Sequence, residues 1–190
     1  MTTGGEAKRA EFANVALPLM DNVYNAALYL SRDRDEASEL VQETFLRAFR
    51  AWHQFTPGTN CKAWLLTILQ NAFRNRYRSQ QRQPRTVELD ETVHSEEIPE
   101  GATGIGTDPA ELVSAQVLDG EVEAALRSLP DDFLQVVILV DVEELTYDEA
   151  AAAIGCPVGT VRSRLSRARR LLHQALQGYA RERGILRRRG

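Results

Sequence analysis

The sequence predicts an all-α protein of two small helical domains joined by a flexible acidic linker. Apolar residues repeat at helical spacing in two separate stretches of the 190 residues. Between these stretches lies an acidic segment with Pro and Gly and no such period. A hydrophobic fraction of 43% and a charged fraction of 26% are typical of a folded globular chain. We place the N-terminal domain at 1–86, the linker at 87–110 and the C-terminal domain at 111–190.

The N-terminal domain is predicted to be a bundle of three or four helices. Residues 12–30 are apolar enough for one or two helices, with Pro18 near a first turn or a bend. The clearest helix covers 35–50, and its mainly apolar stripe comprises Ala37, Leu40, Val41, Thr44, Phe45, Ala48 and Phe49, continuing to Trp52. A turn at 56–60 is followed by a helix over 62–81 that begins apolar and ends basic.

The C-terminal domain is predicted to contain a helix-turn-helix. A short apolar helix over 133–142 comes first. Thr146 and Glu149 then have the spacing of a capping box, and the helix that they open closes at Gly155. The last helix, over 158–175, is rich in Arg. Its predicted packing face comprises Val161, Leu165, Ala168, Leu171 and Leu172.

Charge is sorted along the chain, although the net charge is only −4. Residues 87–125 carry 11 acidic residues and no Lys or Arg, whereas residues 150–190 carry 10 Arg and 1 Glu. Because like charges repel, such basic segments indicate a polyanionic partner. Residues 62–85 carry six basic residues and no acid, with Trp64, Phe73 and Tyr77 among them. Rings and cations together hold unpaired bases, although Trp64 lies in an apolar run and is expected in the core.

Three segments, in this order, resemble extracytoplasmic-function sigma factors, the small two-domain sigma factors of bacterial RNA polymerase. Residues 39–48 (ELVQETFLRA) are similar to the family's polymerase-binding segment. Residues 62–71 (KAWLLTILQN) and 77–84 (YRSQQRQP) resemble the region that recognises the promoter minus-ten element. Leu129-Pro130, Glu149-Ala-Ala151 and residues 157–169 (PVGTVRSRLSRAR) resemble the reader of the minus-thirty-five element.

The resemblance implies three sets of site residues. Those expected to dock on the clamp of the polymerase's largest subunit are Glu39, Leu40, Gln42, Glu43 and Phe45. Those expected to hold the melted minus-ten strand are Thr56, Asn60, Lys62, Asn71, Arg74 and Arg78. Those expected to read the minus-thirty-five duplex are Thr160, Arg162, Ser163, Ser166 and Arg167. Arg can donate two hydrogen bonds to guanine, and Ser or Thr can contact phosphates or bases.

Two positions depart from the family pattern. The family often has Glu-Asp where this chain has Ser38-Glu39, and often Asp where Asn75 stands. Residues 58–65 (GTNCKAWL) and 82–84 (RQP) are most similar to the subgroup controlled by redox-sensitive, zinc-containing anti-sigma factors.

The resemblance also implies partners. These are core RNA polymerase, through its clamp and flap regions, promoter DNA, and an anti-sigma factor. We expect a monomer outside such complexes, with the acidic linker threading the polymerase's RNA channel as a mimic of nucleic acid. No apolar stretch is long enough to predict a membrane span. Cys61 and Cys156 form no disulfide framework, so we expect a reducing cytoplasm, and no cofactor or metal is predicted.

Other classes of function stay open from the residues alone. A helix-turn-helix activator or repressor would bind duplex DNA without polymerase, and it leaves residues 36–50 and 62–85 unexplained. An adaptor that binds only protein would bind no DNA even at low salt, where phosphate contacts are strongest. An enzyme is not expected, because the three His residues are scattered and no phosphate loop, nucleophile motif or metal cluster is present.

Overall fold

The computed structural model describes residues 3–82 and 120–183, and all regular structure within these ranges is helical. The N-terminal helices are α1 Thr3–Val15, α2 Met20–Ser31, α3 Arg34–Arg50 and α4 Cys61–Arg82, with short 3-10 turns at Leu17–Leu19 and Trp52–Gln54. The C-terminal helices are α5 Gly120–Arg127, α6 Asp131–Val137, α7 Tyr147–Ile154, α8 Val158–Ala175 and α9 Gln177–Glu182, with a π-helical turn at Ile138–Val142. The predicted linker at 87–110 lies outside the described residues. Across 3–82 and 120–183, no helix combines the length and hydropathy needed to cross a membrane.

Local signals set the ends of the N-terminal helices. Pro18 lies in the 3-10 turn between α1 and α2, which confirms a break there. Arg32 adopts a left-handed conformation with φ of 61° and ends α2. The Asp33 carboxylate then accepts a hydrogen bond from the Glu36 backbone N–H at 2.8 Å and caps α3. The helix predicted over 35–50 is therefore confirmed.

Aromatic rings pack α1 onto the end of α3 and the short turn that follows it. The Phe12 ring meets Trp52 edge-on, with centroids 5.1 Å apart, and meets Phe49 in the same way at 5.2 Å. Trp52 Nε1 donates to the Glu11 carboxylate at 3.2 Å, so its polar atom is satisfied. Trp64 is half-buried and lies 5.8 Å from Trp52. It packs against the core as a partly buried residue, close to its predicted place.

The C-terminal helices contain the predicted helix-turn-helix, α7 followed by α8. Gly155 ends α7 with φ of 74°, a backbone conformation that glycine adopts at little cost. The helix predicted over 133–142 differs from the one observed, because residues 138–142 form a π turn. The Glu143 N–H closes this turn by donating to the Ile138 carbonyl at 2.9 Å. Ile138 and Leu139 stay fully buried within it.

The N-terminal and C-terminal helices pack directly against each other. Helix α4 lies along α7, and α2 contacts α6 and the π turn. The buried residues of both halves belong to one contiguous cluster. The sequence predicted two domains on a tether and gave no indication of this contact.

Candidate polymerase and nucleic-acid interfaces

Helix α8 buries one face and exposes the candidate minus-thirty-five residues on the other. Val161, Leu165 and Ala168 are buried, as the helical spacing predicted. Leu171 was predicted to join them but is 37% exposed, so that assignment is wrong. Of the candidate residues, Thr160 is half-buried and the exposed ones are Arg162, Ser163, Ser166 and Arg167. These four side chains are accessible to a nucleic acid.

Acidic and aromatic side chains of the same half hold α8 in place. Arg164 forms an ion pair with Asp132 of α6 at 2.5 Å. Arg169 pairs with Asp141 of the π turn at the same distance. The Arg162 guanidinium lies over the Tyr147 ring, 5.7 Å from its centroid. These restraints, which the sequence pattern did not predict, join the Arg-rich helix to the acidic segment before it.

The capping box of α7 is complete. Thr146 Oγ1 accepts from the Glu149 N–H at 3.2 Å, and Glu149 Oε2 accepts from the Thr146 N–H at 2.8 Å. Glu149 Oε1 also accepts from Asn60 Nδ2 at 2.9 Å. Burial alone would raise the pKa of Glu149, but the bonds from Thr146 and Asn60 outweigh it and lower that pKa. The carboxylate therefore serves both the cap and a contact with the other half.

Thr146→Ala should lower the free energy of unfolding by about 0.5–2 kcal/mol, because the start of α7 loses its cap. Thermal unfolding of the full chain measures this as a lower Tm. Thr146→Ser is the matched control, since it retains the hydroxyl and should keep most of the stability. Equal losses in both variants would contradict a capping role for the hydroxyl.

The exposed surface of α3 differs from the expected polymerase-docking set. Glu39 and Gln42 are exposed and Glu43 is half-buried. Leu40 and Phe45, which were expected to dock on polymerase, instead lie in the core. Their positions belong to the apolar stripe of the helix, so they face α2 and α4 rather than a partner. This is a correction to the expected docking residues.

Two further residues on this surface were not singled out from the sequence. Leu46, one turn after Gln42, is 50% exposed. Arg76 of α4 donates to Glu39 Oε2 at 2.6 Å and lies 3.7 Å from Glu43 Oε2. Leu46 could have been found from the sequence, because it is a leucine outside the apolar stripe of α3. The contacts of Arg76 could be found only from the packing of α4 against α3. We call Glu39, Gln42, Glu43 and Leu46 the docking face.

The candidate minus-ten residues lie along the turn before α4 and the helix itself. We call the described ones the minus-ten face: Thr56, Asn60, Lys62, Asn71 and Arg74. Thr56 and Asn71 are exposed. The side chain of Arg78 lies outside the described residues. Tyr77 is 51% exposed and its ring stacks on Phe73 with centroids 6.3 Å apart, beside this face.

Three residues of the minus-ten face contact the C-terminal helices. Besides the Asn60 bond to α7, Lys62 Nζ lies 3.8 Å from Glu143 Oε2. The Arg74 guanidinium donates to the Ile154 carbonyl at the end of α7. Three of the five described minus-ten candidates are therefore engaged by the C-terminal half of the same chain.

Comparison with known proteins gives consistent results. Residues 18–83 match the family model of sigma-70 region 2, and residues 119–172 match that of sigma-70 region 4. The chain is 40% identical over 150 residues to the ECF RNA polymerase sigma factor EcfG of Rhodopseudomonas palustris, which covers 79% of this chain and 76% of that protein. It is 33% identical over 183 residues to ECF RNA polymerase sigma factor SigE of Mycolicibacterium smegmatis, covering 95% and 67%.

The fold is similar to that of a solved complex. This is the sigma factor RpoE with the anti-sigma factor NepR from Bartonella quintana, with a TM-score of 0.66 and 31% sequence identity. The alignment covers 88% of this chain and 97% of that one. All three similar proteins are sigma factors.

Proposed function

This chain belongs to the extracytoplasmic-function family of RNA polymerase sigma factors and acts in promoter recognition and transcription initiation, and we propose that it does so through three separate surfaces. The docking face binds core polymerase, the minus-ten face holds the melted strand, and α8 reads duplex DNA upstream. The observation that carries the proposal is that α3 and α7 are capped and that α3, α7 and α8 each bury one apolar face, so that the candidate residues of both family regions lie on fixed helices.

The minus-thirty-five reader is the surface with the most complete support. Helix α7 is capped at both ends and braces α8, whose exposed side chains include Arg162 and Arg167. Such a pair of helices places the second in the major groove. Extended Arg side chains there can donate to guanine O6 and N7.

The minus-ten face combines cations with amide side chains at the start and middle of α4. Lys62 and Arg74 supply positive charge for phosphates, and Asn60 and Asn71 supply donors and acceptors for base edges. The exposed Tyr77 ring adds a stacking surface beside them. The domain limits at 86 and 111 remain predictions, because both fall outside the described residues.

The docking face joins charge with one exposed apolar side chain. Because Leu40 and Phe45 are buried, we assign them to the support of α3 and assign direct contact to Gln42 and Leu46. Apolar side chains at the centre of an interface contribute more binding free energy than exposed charges at its rim. The negative charge of Glu39 argues for a protein partner here rather than DNA.

Leu46→Ala should weaken co-purification with core RNA polymerase by up to about tenfold, since fully burying a leucine is worth about 1.5–3 kcal/mol and half of this side chain is still exposed. Its folding should be unchanged, because the side chain is half exposed. Leu171→Ala is the matched control, an exposed leucine on α8 away from the docking face. Equal retention of polymerase by both variants would contradict the assignment of this face.

Run-off transcription tests the proposed function as a whole. Purified core polymerase with the chain should initiate on members of a promoter library where core alone does not. Binding to promoter fragments should fall steeply as salt rises. A helix-turn-helix regulator would instead bind duplex DNA tightly without polymerase and would give no initiation.

We also propose an anti-sigma factor as a regulatory partner and the cytoplasm as the location. The support for the partner is the likeness to RpoE, which was solved with the anti-sigma factor NepR. The redox-controlled subgroup remains a prediction from residues 58–65, since the similar proteins EcfG and SigE do not select it. Burial raises the pKa of the Cys61 thiol, which disfavours a reactive thiolate at that position.

A further inference from the structure

Three arginines of α8 contact the elements that precede this helix, and one of the three contacts differs in kind. Arg164 and Arg169 donate their N–H groups to carboxylates of α6 and of the π turn. Arg162 instead lies over the Tyr147 ring, with its guanidinium carbon 5.7 Å from the ring centroid. A carboxylate occupies the donors of an arginine, whereas an aromatic ring attracts the cation and leaves the donors in the guanidinium plane free for DNA.

The Tyr147 ring is held from two sides. It begins α7 directly after the Thr146 cap, is half-buried and packs against the hydrophobic core. The hydrogen bonds and charge of Asp141 raise the pKa of Arg169, and the nearby Tyr147 phenol adds to that increase. Because the start of α7 and the anchored Arg169 both restrain the ring, it is a rigid support for a third side chain.

That third side chain is Arg162. Arg162 and Arg169 are seven residues apart, so they lie on the same side of α8, about two turns or 10.5 Å apart along its axis. Tyr147 contacts both of them. Arg162 is exposed and forms no ion pair among the described residues, and it lies near the N-terminal end of α8. Residues at that end of a recognition helix are the ones that contact base edges.

A restraint on Arg162 affects sequence reading more than attachment to DNA. A flexible arginine loses side-chain freedom when it binds, and a neighbour that already holds the guanidinium lowers this cost. A contact with a phosphate tolerates some variation in position, whereas a bidentate contact with guanine requires a fixed guanidinium plane. Loss of the ring should therefore reduce discrimination between base pairs.

We propose that Tyr147 is a positioning residue for Arg162, and that its ring orients this guanidinium toward one base pair of the minus-thirty-five element and so contributes to promoter specificity. The inference deepens the proposed function and rests on it, because the orientation has a consequence only if α8 reads duplex DNA. Tyr147 acts through Arg162 and not through a contact of its own with DNA.

Nuclear magnetic resonance of the free full chain tests the contact. The ring current of Tyr147 should shift the side-chain hydrogens of Arg162 from their usual positions. Tyr147→Leu, which keeps an apolar side chain against the core, should abolish this shift, whereas Tyr147→Phe should retain it. Tyr179→Leu is the matched control, because it removes the ring 5.4 Å from the Arg183 guanidinium on α9. Unshifted Arg162 signals in the parental chain would overturn the positioning role, whatever the stability of the variants.

Binding of the holoenzyme to minus-thirty-five duplexes, with each base pair substituted in turn at fixed salt, tests the consequence. Tyr147→Leu should weaken binding to the preferred duplex by about three- to tenfold. The loss should be concentrated at the base pair where Arg162→Ala also loses discrimination. Tyr147→Phe and Tyr179→Leu should bind as the parent does. The salt dependence of Tyr147→Leu should stay parental, because no phosphate contact is removed.

A double-mutant cycle separates positioning from a general effect on the fold. In an Arg162→Ala chain, Tyr147→Leu should change affinity by less than about twofold, because the group that the ring orients is absent. An equal loss in both backgrounds would overturn the positioning role. So would an equal loss in Tyr147→Phe, since the hydroxyl and not the ring would then be responsible.

Failure of this inference differs from failure of the proposed function. A parental holoenzyme without preference among the duplexes would overturn the reading of DNA by α8, and with it any role of Tyr147 in that reading. A parental preference that persists in folded Tyr147→Leu would overturn the positioning role alone. Circular dichroism establishes that each variant is folded.

Discussion

Leu40→Ala should lower the free energy of unfolding by about 2–5 kcal/mol, the largest effect we expect from a single truncation. Leu40 is fully buried in the contiguous core, and α3 packs there against α2 and α4. The substitution removes three carbon atoms and leaves a cavity that the neighbouring helices can only partly fill. Urea unfolding of the full chain measures the loss as a lower transition midpoint.

Leu46→Ala is the control for this prediction, because it makes the same chemical change on the same helix. Leu46 is half exposed, so its truncation should change stability by less than about 0.5 kcal/mol. Leu40→Ala should therefore affect folding, whereas Leu46→Ala should affect association with polymerase. A Leu40→Ala protein with parental stability would contradict the placement of this residue in the core.

Arg162→Ala combined with Arg167→Ala should weaken binding of the holoenzyme to minus-thirty-five duplex DNA by at least about tenfold, and by about a hundredfold if both guanidinium groups contact bases. A good bidentate contact to a base pair is worth about 1–3 kcal/mol. Both side chains are exposed on α8, and neither forms an ion pair in the described structure. Fluorescence anisotropy on labelled promoter fragments at fixed salt measures the loss.

The control for this pair is Arg181→Ala on α9, which removes an equally exposed charge from the same half. It should change affinity little and uniformly across sequences, whereas the α8 variant should also lose discrimination between promoters. Equal losses in the control and in the α8 variant would mean that Arg162 and Arg167 attract DNA only through their positive charge and do not read its sequence. Upstream recognition would then have to lie elsewhere.

The elements predicted most accurately are those whose ends depend on local chemistry. Thr146 and Glu149 lie three residues apart and Gly155 closes the same helix, so the bounds of α7 could be derived from neighbours in sequence. The 18 residues of α8 agree with the predicted 158–175, and Pro157 marks its start. The π turn was not predicted, because one i→i+5 turn of five residues is too short to leave a period of its own in the sequence.

Site residues were predicted less well where a role was transferred without considering burial. Leu40 and Phe45 stood in the apolar stripe of the sequence, and that period alone indicated that they face inward. The resemblance assigned them to docking because it identifies a segment and not the exposed side of a helix. Leu46 lies outside the stripe, so the same period predicts that its side chain is exposed and can contact a partner.

The packing of the two halves could not have been derived from sequence patterns. Asn22 and Glu143 are 121 residues apart, and each would be an ordinary polar residue on an isolated helix. Periodicity reports which face of a helix is buried, but not which distant helix covers the remaining polar positions. The burial of the Glu143 carboxylate can be recognised only when the positions of both halves of the chain are known.

Arg76 links the docking face to the helix that carries the minus-ten face. It lies on α4 between Arg74 and Tyr77, yet its guanidinium holds Glu39 and Glu43 of α3. In the proposed function, one side chain therefore joins the carboxylates of the docking face to the helix that carries the minus-ten face.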